Sequence, residues 1–152
     1  MLLDYAMKDS LTIFNYIGEK ENQGVWSATV ISGAKVDAQK RFKAYRGTIT
    51  DCGADEYTAY LMDAFVSACD LRGRVKEFLP EADFEALPDG MKPLYWTLRV
   101  NGFDCVMLSA QTEVTLDGNE RPPEGSQTHR VTGVLRREWN VGALTHWKVT
   151  CA

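Results

Sequence analysis

The chain is poor in the residues that carry most recognisable chemistry. Its 152 residues hold only two histidines, His129 and His146, and four scattered cysteines, Cys52, Cys69, Cys105 and Cys151, with no CxxC pair. Zinc binding needs clustered thiolates or imidazoles, so no metal or cofactor is expected. No GxGxxG or P-loop occurs, which excludes a standard glycine-rich nucleotide site. No apolar run approaches the roughly 18 residues of a membrane-spanning helix. The opening MLLDYAMKDS lacks the basic segment of a signal peptide. With no leader and no paired cysteine motif, the thiols are expected to be reduced and the chain cytoplasmic. A net charge of −4 argues against a generally basic nucleic-acid binder. Neither histidine lies in a nucleophile or metal signature, and both read as surface or half-buried sheet residues.

What is present is an ordinary globular composition, 45% apolar and 25% charged, enough for one core in a single domain over 1–152. Alternating apolar runs predict strands over 11–17, 25–31 and 40–49. Residues 75–79 read as a short strand or an extended exit, and further strands are expected near 94–100, 111–116, 129–138 and 143–151, with Trp147, Val149 and Cys151 on one face of the last. Pro80 is placed to open a short helix that Pro88-Asp89-Gly90 ends. Asn101-Gly102 is a type I′ hairpin signal, predicting that Val100 and Phe103 pair across it, with Trp96, Leu98, Cys105 and Met107 on one buried face.

Residues 54–71, ADEYTAYLMDAFVSACDL, read as a long helix with Asp51 as N-cap and Gly73 in the left-handed C′ position. Tyr57, Leu61, Ala64, Phe65 and Ala68 form its core stripe at 100° per residue. Ala59, Met62, Val66 and Cys69 form a second apolar strip, the candidate protein interface. The fold expected is therefore α+β: a mainly antiparallel curved sheet or partial barrel of about eight strands, with one long central helix.

Several constellations carry weaker chemistry. Glu56, Asp63 and Asp70 recur every seven residues along the predicted helix, about 10 Å apart, too far for two to share a metal. Lys40, Arg41, Lys43 and Arg46, interleaved with Phe42 and Tyr45, are the nucleic-acid-binding candidates. Alternation on a strand divides them between two faces. Trp26, Trp96 and Trp147 sit on predicted strands and suit a core, a ligand cavity or an interface. Cys52, just ahead of the predicted helix, is the one thiol with a context for activation.

The order strand, strand, strand, helix over residues 11–71 resembles the opening of the ribonuclease H fold. GVWSATVI is similar to its second strand. Glu56 falls early in the helix, where the resemblance implies a metal-binding glutamate. The first strand reads IFNYIG, with Asn15 and Tyr16 where that family places an aspartate, and the second half is β-rich. No catalytic residue is assigned. The expectation is a small soluble non-enzymatic protein that acts through protein–protein interaction or self-association, as an assembly subunit or inhibitor of phage or mobile-element type. The alternatives are a degenerate ribonuclease-H-like nucleic-acid binder or nuclease, and a small-ligand-binding β-barrel lined by the tryptophans.

Overall fold

Asp9–Lys20 (β1) turns through Glu21 and Asn22 into Gln23–Tyr45 (β2). The two turn residues have φ of 55° and 63°, the left-handed pair of a type I′ turn, whose twist matches that of the flanking strands. The computed structural model describes residues 7–45, 48–111, 118–123, 128–138 and 145–152, with 38–55 described in backbone only. Next come Thr48–Met62 (β3), Ser67–Cys69 (β4), Glu77–Phe78 (β5) and the short helix Glu81–Glu85 (α1). A 3-10 turn at Lys92–Leu94 leads into Tyr95–Trp96 (β6) and then Cys105–Met107 (β7). Thr128–Arg137 (β8) and His146–Cys151 (β9) complete the order.

The pairings run β1–β7–β8–β9–β3–β2, and β2 also pairs with β1, so the antiparallel ring of strands closes on itself. Leu11 and Ile13 of β1, Ile31 and Ala34 of β2, Ala59 and Leu61 of β3 and Val149 and Cys151 of β9 are buried in one apolar core with Trp96 and Leu98. Phe14, on the opposite face of β1, packs with Ala28 and Met107 in a second cluster. Both faces of β1 are therefore covered, and Leu11 through Asn15 are all buried.

The predicted long helix is absent, and the α+β reading is corrected to a mostly β fold. Residues 54–62 lie in β3, which pairs with β2 on one side and β9 on the other. The cause is a coincidence of periods. Residues four apart share a face in a strand as well as in a helix, so Tyr57, Leu61 and Phe65 fit both. Tyr57, Thr58 and Tyr60 favour an extended chain packed between neighbours, and two partner strands satisfy its backbone. After Met62 the chain makes a four-residue excursion and resumes as β4 on β2, pairing Ser67 with Ser32. Gly33 makes room for it: φ there is 77°, and a Cβ would lie 2.2 Å from the Phe65 carbonyl oxygen. Gly73 does take a positive φ of 83°, but in a tight turn closed by Asp70, not at a helix end. With the helix gone, the strand–strand–strand–helix order behind the ribonuclease H resemblance is gone too.

Two other elements differ in detail, and one lies out of reach. The strand expected at 40–49 is the end of β2 and the start of β3. The region 111–116 lies largely outside the described residues. The hairpin at Asn101-Gly102 does not form. Tyr95–Trp96 pairs in parallel with β5, and β7 pairs with β1 and β8. Asn101 Oδ1 instead accepts from the N–H groups of Phe103 and Asp104, turning the chain locally. Val100 and Phe103 are both more than half exposed. The short helix after Pro80 and the shared burial of Trp147, Val149 and Cys151 agree with the sequence pattern.

Candidate functional site: an aromatic cavity and a projecting ribbon

Opposite positions on antiparallel strands share a face. Leu61 of β3 is paired with Trp147 of β9, and Trp147 with Arg136 of β8, so these three form one rung across the sheet. The small parallel pair β5–β6 supplies a second rung, Phe78 opposite Trp96. Between the rungs lies a cavity of about 360 Å³, with Val66 and Asp63 of the excursion also on its wall. The Phe78 ring touches both indoles, at 5.0 Å from Trp96 and 5.4 Å from Trp147. Five of the seven lining side chains thus stand on strands whose register is fixed, and Asp63 and Val66 stand on the excursion.

The polar side of the cavity is one ion pair. Arg136 donates from Nη1 and Nη2 to the two Asp63 oxygens at 2.7 and 2.5 Å. Its guanidinium also lies 5.1 Å from the centre of the Trp147 ring. The hydrogen bond from Arg136 holds the Asp63 carboxyl below its ordinary range, and the same bond raises Arg136 further.

The second feature is a two-stranded ribbon. β1 accompanies β2 only as far as Ala34, and β9 accompanies β3 only from Tyr57 onward. Between them β2 and β3 pair with each other alone among the described residues, from Gln39 opposite Glu56 out to Tyr45 opposite Thr48. At about 3.3 Å per residue, this section is roughly 25 Å long. The basic candidates Lys40, Arg41 and Lys43 lie on it, and the backbone register sets Lys40 opposite Asp55 and Lys43 opposite Thr50. Arg46 lies outside the described residues, as does the side chain of Cys52.

The interface candidates are separated. Ala59 and Met62 are buried, Val66 is half-buried on the cavity wall, and Cys69 is half-buried in β4. Glu56, Asp63 and Asp70 fall on β3, on the excursion and after β4, so the stripe of sevenfold spacing does not exist in space. Trp96 and Trp147 share the cavity, whereas Trp26 packs edge-on to Tyr16 at 5.3 Å beside the second cluster. His129 and His146 are half-buried against Tyr57 and Tyr60. Cys69, Cys105 and Cys151 are free thiols, and burial pushes Cys151 up to about 11, away from nucleophilic use. Among the described residues no helix is long and apolar enough to cross a membrane.

Sequence reasoning missed the partners of the tryptophans. Asp63 and Arg136 are 73 positions apart, and nothing local in the chain links them or Phe78 to Trp147. It also missed Lys76, buried with its ammonium 2.9 Å from Ser27 Oγ and 3.2 Å from the Ala28 carbonyl oxygen. Burial lowers its pKa to about 8. A serine beside a lysine of lowered pKa is a nucleophile–base pairing. Ser27 is only 1% exposed, however, and its neighbour Ala28 gives its N–H to Glu120, so the pair is sealed from substrate and structural. No protein family, curated protein or solved structure matches this chain.

Proposed function

We propose that this protein is a non-enzymatic assembly subunit that binds a neighbouring copy of itself through the β2–β3 ribbon. The observation that carries the reading is the length of ribbon running beyond every other described strand. An isolated two-stranded ribbon is at best marginally stable in water, and its outer edges are rows of backbone donors and acceptors. Adding such an edge to a neighbouring sheet satisfies those groups and completes a third strand. The nucleic-acid alternative draws less support. The described basic residues of the ribbon, Lys40, Arg41 and Lys43, are matched in number by Asp51, Asp55 and Glu56 on its other strand. A nuclease draws none, because the carboxylates of the predicted stripe do not converge.

Light scattering tests the proposal. The native chain is expected at a multiple of its 17.1 kDa mass. Replacing residues 39–56 by Asn-Gly, between the register partners Ala38 and Tyr57, is expected to give a folded monomer. A shorter excision of 44–49 between Lys43 and Thr50 serves if the longer one does not fold. A native monomer at about 100 μM, well above typical assembly affinities, would sink the reading. So would an excised variant that keeps its assembly.

A further inference from the structure

The cavity between the two aromatic rungs is a second site, independent of the ribbon, and we infer that it binds a neutral, flat aromatic ligand. Its volume of about 360 Å³ falls in the range of small-molecule sites. Its wall is mainly apolar: Leu61, Val66, Phe78, Trp96 and Trp147. Four of these five stand at register positions of paired strands, Leu61 with Trp147 and Phe78 with Trp96, so the shape exists before a ligand arrives. Aromatic walls favour aromatic ligands through offset and edge contacts beyond simple burial.

The charge of the ligand follows from the ion pair. Among the described residues, Arg136 is the one cation on the wall and Asp63 the one anion, and the two are joined by two hydrogen bonds. The wall is therefore electrically balanced. An anionic ligand would have to displace Asp63 from Arg136, and a cationic one would have to displace Arg136 from Asp63. Either costs the two hydrogen bonds of that pair, in which Arg136 is 29% and Asp63 46% exposed, and sets the ligand's own charge against an apolar wall. A neutral ring system enters without disturbing the pair, and the pair at its edge can still accept or donate one hydrogen bond to a polar substituent.

Two fluorescent probes with the same rings separate these cases. Phenylnaphthylamine is neutral, and anilinonaphthalene sulfonate adds one negative charge. Energy transfer from Trp96 and Trp147 reports binding of either. The native protein is expected to prefer the neutral probe by at least about tenfold. Val66→Trp fills the cavity and is expected to weaken the neutral probe more than about tenfold while leaving the circular dichroism spectrum unchanged. If that variant does not fold, Val66→Phe makes the same test with less added volume. Asp63→Asn strips Arg136 of its partner and is expected to shift the preference toward the sulfonate by about tenfold. The inference is overturned by no binding of the neutral probe, by equal binding of the two probes, by undiminished binding in the filled variant, or by an unchanged preference in Asp63→Asn. The ribbon-excised chain keeps every cavity residue, so failure of the assembly reading leaves this test intact.

Discussion

Asp104 is 1% exposed and accepts five hydrogen bonds: from Asn15 Nδ2, the Tyr16 N–H, Arg99 Nε and Nη2, and Asn101 Nδ2. Arg99 donates further to the Tyr16 carbonyl oxygen and lies 4.9 Å from the centre of the Phe84 ring. Removing one member of such a buried pair strands the other. Arg99→Met is expected to lower stability by about 3–5 kcal/mol in denaturant unfolding. Lys76 poses the opposite case, a buried cation whose folded pKa of about 8 lies below the ordinary 10.5. Below pH 8 the lysine is charged in both states, and its burial opposes folding. Between pH 8 and 10.5 the unfolded chain holds the proton more tightly, so stability rises with pH over that window, by about 3 kcal/mol in all. Lys76→Met should abolish that rise, which denaturant titrations at pH 7.5 and 10.5 will read as an unfolding midpoint that moves up with pH in the native chain and not in the variant.

At the scale of elements, the excursion between β3 and β4 depends on one backbone position. Gly33 has φ of 77° and no room for a Cβ beneath the Phe65 carbonyl. Gly33→Ala is expected to cost more than about 2 kcal/mol and to lower the melting temperature by roughly 4–8 °C. Elements rich in apolar and β-branched residues and bounded by turn residues were legible in the sequence, as β1, β8 and β9 show. So was the short helix punctuated by Pro80 and Pro88. Residues 54–71 were not, because Tyr57, Leu61 and Phe65 satisfy both periods and only the flanking β2 and β9 decide between them. The Asn101-Gly102 signal failed for a related reason. Arg99, whose position in an alternating strand faces away from Leu98, is drawn inward to Asp104, and that pair holds the chain out of the hairpin register. The cavity was half visible. Trp96 and Trp147 stand out as aromatics on strands, but the pairing of β9 with both β3 and β8 brings Leu61 and Arg136 beside them from distant parts of the chain.

For the whole molecule, the ring of strands and the ribbon share β2 and β3 but little else. Among the residues whose side chains are described, Ile31 and Ala34 of β2 and Ala59 and Leu61 of β3 belong to the main core. Excision of the ribbon is therefore expected to leave the melting temperature within about 4 °C of the native value, equivalent to a change of about 1 kcal/mol. Calorimetry of the monomeric excised chain checks this. A fall of more than about 10 °C would mean that the ribbon supports the ring, and not only its contacts with a neighbour.

The continuity of β2 through the bend at Gly33 has a mechanical consequence. The same strand lies against β1 in the ring and against β3 in the ribbon, without a break in the chain from Gln23 to Tyr45. Antiparallel ladder bonds lie across the strands. Tension applied along the ribbon therefore loads many of them together in shear, instead of peeling them one at a time. Its path ends in the buried residues of β1 and β3. A subunit held by its ribbon would transmit a pull directly into its own core, and force spectroscopy along that axis should meet far greater resistance than a pull that separates β2 from β3 at the tip.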